Sequence, residues 1–123
     1  MHELGIAAEA HRMARANLPD ASLRLTRVWL AVGELSGVEP DLLGFAWDAV
    51  TGAGPDAGCA LEIEWCPSRQ VCDACGAAAE RPRGSWLRAC PACGGTLRID
   101  GGQDLDLLRL EAGPAPVPRE TNA

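Results

Sequence analysis

Cys72, Cys75, Cys90 and Cys93 stand as two Cys-x2-Cys pairs separated by fourteen residues. Two thiolates three positions apart on a tight turn reach two neighbouring corners of a tetrahedron, and a second such turn supplies the other two. Each pair is followed directly by glycine, Gly76 and Gly94, where the chain must bend back through positive φ. Pro91 stiffens the second turn. The chemistry this predicts is a closed zinc site of four cysteine thiolates, structural rather than catalytic, with no position left for water. Two disulfides or four unrelated thiols are the alternatives, and the spacing argues against both. Cys59 and Cys66 lie outside the quartet and read as reduced thiols, a disulfide between them being the alternative.

A second constellation opens the chain, Met1-His2-Glu3. A histidine directly after the terminal residue offers the α-amine, its own backbone amide and an imidazole nitrogen. With the amide deprotonated, that nitrogen set suits square-planar Ni(II) or Cu(II) and suits tetrahedral Zn(II) poorly. Glu3 adds an amide nitrogen or a carboxylate. Met1 is expected to stay in place, because aminopeptidases trim ahead of small residues and His2 is bulky. An arbitrary surface terminus could carry the same triplet, so these three residues alone leave both readings open. His11 falls on an apolar helical stripe and reads as a partly buried packing residue rather than a ligand.

The elements that must position these groups follow from periodicity. Residues 3–18 read as a helix with Leu4, Ala7, His11, Ala14 and Leu18 on one stripe and Ile6, Ala10 and Met13 beside it. Val28, Leu30 and Val32 alternate as a strand, which Gly33, Ser36 and Gly37 end. Glu39-Pro40 opens a second helix, for which Leu42, Phe45, Ala46, Ala49 and Val50 are the predicted buried face. A second strand spans 60–66, with Leu61, Ile63 and Trp65 inward. A last strand spans 105–111, its alternation changing phase between Leu107 and Leu108. The fold class is α+β: a three-stranded sheet covered by two helices, with the four-cysteine zinc ribbon inserted between the second and third strands. The ribbon has little beyond Trp86 and Leu87 to bury, so metal must substitute for a core.

Net charge is −6, and between Cys72 and Cys93 three arginines face two carboxylates. Four thiolates about Zn2+ bring that segment to about −1, which argues against nucleic acid as a partner. No apolar run approaches a membrane span, and the start lacks the basic and apolar regions of a secretory leader. Metal-spaced cysteines without such a leader point to the reducing cytoplasm. No nucleophile–base constellation appears, so catalysis is not expected.

The chain resembles the HypA/HybF family of nickel-insertion proteins in [NiFe]-hydrogenase maturation. The matching stretches are Met1-His2-Glu3-Leu4, the run Val32 to Pro40, Phe45-Ala46-Trp47, Leu61-Glu62-Ile63, both cysteine pairs and Leu108-Arg109-Leu110-Glu111. Gly5 departs from the serine often found after that start. The resemblance implies a nickel metallochaperone, with His2 the essential nickel ligand, Glu3 supporting, and Glu39 able to approach the nickel during transfer; the Met1 amine joins them through the chelate chemistry described above. It assigns zinc to Cys72, Cys75, Cys90 and Cys93, and makes Ni2+ a transient cargo beside structural Zn2+. A HypB-type GTPase and the hydrogenase large subunit are the implied partners, with urease a variant client. The expected division is a nickel-binding α/β domain over 1–69, the ribbon over 70–97, a last strand completing the first domain over 98–112, and a disordered Pro-rich tail over 113–123. A monomer or weak dimer is expected. A zinc-ribbon scaffold with an incidental His2 is the rival function, and an enzyme using Cys59 or Cys66 is a second.

Overall fold

The structure, a computed structural model, describes residues 2–79, 81 and 84–115. Among these residues two helices and six strands follow the order α1 (Glu3–Ala16), β1 (Leu23–Gly33), α2 (Pro40–Thr51), β2 (Ala60–Cys66), β3 (Arg69–Cys72), β4 (Ala78–Ala79), β5 (Leu97–Asp100) and β6 (Leu105–Pro114). They form two three-stranded sheets, one ordered β2-β1-β6 and the other β4-β3-β5.

β1 is the centre of the larger sheet. It pairs in parallel with β2, reached through α2, and antiparallel with β6. Its alternation sets the core: Val28, Leu30 and Val32 are buried, and Leu61, Ile63, Trp65, Leu107 and Leu110 pack against the same cluster from the flanking strands. Both helices cover that face. The opposite face is wet, where Arg27 pairs with Glu62, and Arg27 and Arg109 lie over the Trp29 ring at 5.8 and 4.2 Å. The expected phase change in β6 is a bulge. Leu30 pairs with Leu107 and Trp29 with Arg109, so Leu108 is the extra residue and points to solvent while Leu107 and Leu110 stay inward.

Three expectations are corrected. The α2 core face is Leu43, Ala46, Trp47 and Thr51, with Val50 packed against the core, while Leu42 and Phe45 are exposed. Trp47 decides the rotation: it is fully buried and its indole N–H donates to the Cys59 carbonyl at 3.0 Å, a bond that the Phe45 ring has no group to make. On α1 the stripe likewise turns, to Ile6, Ala7, Ala10 and Ala14, leaving Leu4 and Met13 exposed. The helix also ends earlier, at Ala16, where the Asn17 side chain donates to the Met13 carbonyl at 2.8 Å.

The third correction concerns boundaries. Arg69 and Leu97–Asp100 belong to the smaller sheet, so the expected breaks at 69/70 and 97/98 fall inside β3 and β5. Gly113 and Pro114, expected in a disordered tail, pair with Arg24 and Leu23 as the end of β6. Proline is tolerated there because β6 is an edge strand. The rest of that tail from residue 116 lies outside the described residues.

The two sheets meet at the end of β1. Gly33 lies so close to the segment returning from the ribbon that a Cβ there would fall 2.1 Å from the Gly102 carbonyl oxygen. Its N–H donates to Asp104 O at 2.7 Å, and Leu35 N–H to Gly102 O at 2.6 Å. The Glu34 carboxylate accepts from the Ser68 N–H at 2.9 Å and from the Arg81 guanidinium, tying the ribbon to the end of β1.

Candidate metal centres

The ribbon site is built from two turns at the tip of the smaller sheet. In the first, Gly76 N–H donates to the Cys72 carbonyl at 2.9 Å; in the second, Gly94 N–H donates to the Cys90 carbonyl at 2.8 Å. Gly76 and Gly94 adopt φ of 74° and 76°, the left-handed conformation expected for them. The four sulfurs of Cys72, Cys75, Cys90 and Cys93 all lie within 4.8 Å of one another, with Cys72 to Cys93 at 3.5 Å and Cys75 to Cys90 at 3.8 Å. Four thiolates ~2.3 Å from one Zn2+ at tetrahedral corners stand about 3.8 Å apart, so the quartet fits the ion. Crowding around the sulfurs agrees: a Cβ on Gly95 would meet Cys72 Sγ at 3.0 Å and Cys93 Sγ at 3.2 Å. The Cys75 backbone N–H donates to Cys72 Sγ at 3.4 Å and holds that thiol down, to about 7. Such a hydrogen bond favours the thiolate a metal requires.

Beside the site, a bidentate amide pins the long loop between the two turns. Gln70 Nε2 donates to the Leu87 carbonyl at 2.9 Å, and Leu87 N–H donates to Gln70 Oε1 at 3.0 Å. Arg81 lies over the Trp86 ring at 3.9 Å. These contacts do locally what a core would do.

The N-terminal group lies apart from the ribbon. His2 is the exposed N-cap of α1, extended at φ −92°, ψ 133°, with its carbonyl accepting from Ile6 N–H at 3.2 Å. Because the helix begins at Glu3, the backbone amides at its start have no acceptor within the helix. A metal can therefore take amide nitrogens there without breaking helical hydrogen bonds. The Glu3 carboxylate accepts from the Glu39 N–H at 3.1 Å, and the Glu39 carboxylate accepts from Asp41 N–H at 3.3 Å as the cap of α2. Glu3, next to His2, thus meets the Glu39 backbone where the two helices start, while the Glu39 carboxylate turns to its own helix. The Glu39 N–H holds the Glu3 carboxyl below the ordinary carboxylate range. Carboxylates at helix N-termini are favoured by the helix dipole as well. Met1 lies outside the described residues.

His11 serves the core. Its Nε2 lies 2.7 Å from Asp56 Oδ2, and its ring meets Trp47 edge-on with centroids 5.8 Å apart. Asp56, in the loop between α2 and β2, is fully buried and also accepts from Arg15 at 2.9 and 3.1 Å and from Leu25 N–H at 2.8 Å. The available signal was a lone carboxylate in an otherwise uncharged stretch, with His11 and Arg15 one helical turn apart to receive it.

Cys59 and Cys66 flank β2 at its two ends. A strand of that length separates them by roughly 20 Å, so they cannot pair with each other. Burial pushes the Cys59 thiol up to about 11, and burial with nearby Asp104 raises Cys66. Both shifts oppose the thiolate that a reactive cysteine requires.

A family model described as "Hydrogenase/urease nickel incorporation, metallochaperone, hypA" matches residues 1–112. The hydrogenase maturation factor HypA of Albidiferax ferrireducens is 37% identical over 113 residues, covering 90% of this chain and 98% of the relative. HypA of Rhodobacter capsulatus is also 37% identical, over 116 residues, with the same coverage. The maturation factor HybF of Morganella morganii is 35% identical over 113 residues, again covering 90% and 98%. The solution structure of the nickel metallochaperone HypA from Helicobacter pylori shares the fold, with a TM-score of 0.56 at 21% identity over 90% of this chain and 97% of that one. A helix-covered sheet carrying a four-cysteine ribbon defines a small metal-handling protein. The chain belongs to the HypA family of nickel metallochaperones. Among the described residues, no helix is long and apolar enough to cross a membrane.

Proposed function

We propose that this chain takes up one Ni2+ at its N-terminus and delivers it in the maturation of a [NiFe]-hydrogenase. The observation that carries the reading is the exposed His2 at the head of α1, next to Glu3, whose carboxylate accepts from the Glu39 N–H, within a chain whose residues 1–112 match the HypA family model. His2 is the essential ligand. The Met1 amine and Glu3 support it, and Glu39 assists transfer. Few ligands at a terminus allow both capture and release, whereas a closed site of four thiolates holds its ion. Cys72, Cys75, Cys90 and Cys93 hold Zn2+ for structure. The two functions divide the chain into an α/β nickel-binding part and a ribbon set into it.

A HypB-type GTPase and the hydrogenase large subunit are the partners in this reading. The protein acts in the cytoplasm as a monomer or weak dimer, and it is a carrier rather than an enzyme. The raised thiols of Cys59 and Cys66 support the last point. Nickel titration of the untagged protein against His2→Ala, with zinc quantified in both, tests the reading. Tight nickel binding in the native protein only, at equal zinc content, is expected. Equal nickel affinity in the two would refute the assignment of His2.

A further inference from the structure

α2 is apolar on two sides. One side carries Leu43, Ala46 and Trp47 into the core, and the other presents Leu42, Phe45 and Ala49 to solvent at i, i+3 and i+7. Phe45, the chain's single phenylalanine, is 74% exposed, and Leu42 is 52% exposed. The Glu3–Glu39 hydrogen bond and the His11–Trp47 contact run the two helices side by side in the same direction. Leu4, 57% exposed, therefore stands level with the first turn of α2 that bears Leu42, one residue beyond His2-Glu3. Single exposed apolar residues are ordinary, but an aromatic and two leucines gathered at one end of a helix pair mark an interaction surface.

Charge says what covers it. Glu39, Asp41 and Asp48 border the stripe and are exposed, Glu3 lies at its edge, and α2 carries no basic residue. A second copy of this chain would bring the same carboxylates against these and be repelled. We propose that this face docks a protein that exchanges nickel with His2, a partner presenting an apolar pocket for Phe45 within a rim of lysine and arginine. The proposal rests on the functional reading above and locates its contact surface: a partner seated on Phe45 and Leu4 lies over the nickel-binding terminus, so the ion passes within the complex. Aromatic anchors surrounded by complementary charge are where binding energy concentrates in such interfaces.

The test uses two purified probes, the HypB-type GTPase and the large-subunit precursor of the same organism, titrated against full-length protein by calorimetry at two salt concentrations. Phe45→Asp should weaken binding of at least one probe by about tenfold or more, and Leu42→Ala by a smaller factor. Asp41→Asn with Asp48→Asn should flatten the dependence on salt, because screening removes what those carboxylates contribute. Because Phe45 is exposed, Phe45→Asp should keep native zinc content, melting temperature and His2-dependent nickel binding. Unchanged affinity of both probes for Phe45→Asp, or no binding of either to the wild type, overturns the proposal. A concentration-dependent dimer abolished by Phe45→Asp also overturns it, assigning the face to a second copy. Loss of nickel binding by the wild type would instead fault the functional reading, so the two failures are distinguishable.

Discussion

Replacing Asp56 by alanine should be strongly destabilising although the residue lies away from both metal centres. Its carboxylate is fully buried and takes His11, two contacts from Arg15, and the Leu25 N–H, all between 2.7 and 3.1 Å. These bonds fasten α1 to the start of β1 through the loop that follows α2. Removing one partner from a buried charged pair costs about 3–5 kcal/mol. His11 and Arg15 side chains are 21% and 25% exposed, so water recovers part of their loss and the expected cost lies near the lower end, ~3 kcal/mol. That is a large share of a total near 5–15 kcal/mol. Asp56→Asn keeps an acceptor for Leu25 but turns an amide NH2 toward the Arg15 donor, and should cost about 2 kcal/mol. Urea unfolding of zinc-loaded protein at neutral pH, followed by far-UV circular dichroism, reads the order wild type, Asn, Ala at constant slope. Acid gives a second readout. Burial pushes the Asp56 carboxyl up, but the bonds from His11, Leu25 and Arg15 outweigh it and hold it below the ordinary carboxylate range. A carboxyl lowered in the folded state stabilises above its unfolded value and loses that contribution as pH falls through the folded one. The gap between wild type and Asp56→Asn should thus shrink as pH falls below about 4. An Asp56→Ala protein within about 0.5 kcal/mol of wild type would refute this reasoning.

Three further outcomes follow from the two metal centres. Cys93→Ser should shed zinc and unfold the ribbon, whereas far-UV circular dichroism should retain the helical signal because the core around Trp47 and Val28 is separate; retained zinc would contradict the four-thiolate site. One extra residue ahead of Met1 should weaken nickel binding while a C-terminal tag should not, as titration of the two tagged forms would show; equal affinities would remove the amine from the ligand set. Acid should promote nickel release between about pH 8 and 6, since the amine and any ligating amide must shed protons to bind. Calorimetry in buffers of different ionisation enthalpy counts those protons, and a pH-independent affinity would mean carboxylate and water ligation instead.

The parts of this molecule that were legible in its sequence are those governed by local rules. The cysteine turns are one example, since ligand spacing and the glycines that follow specify the turn without help from the rest of the chain. The β6 bulge is another, because a period-two pattern that changes phase at Leu108 leaves the chain no other way to keep Leu107 and Leu110 inward. The face of α2 was not legible. Leu42, Phe45, Ala46 and Ala49 repeat as convincingly as Leu43, Ala46, Trp47 and Val50, and only the tertiary partner for the Trp47 indole distinguishes them. Proline content likewise hid the end of β6, where an edge position lets Pro114 pair with Leu23. At the nickel-binding end, the triplet announced His2, but the approach of Glu3 to Glu39 across thirty-six positions needed the helices in place. Asp56 was missed for the same reason: its partners come from separate elements, α1 and β1.

The central claim is delivery of nickel through His2, and transfer tests it most directly. The wild-type protein and His2→Ala, each incubated with one equivalent of radioactive nickel, are mixed with the GTPase, GTP and the metal-free large subunit, and the nickel in the isolated large subunit is counted. The wild type should load the subunit well above the level given by free nickel at the same concentration, and His2→Ala should fall to that level. Equal loading by the two proteins would contradict the account.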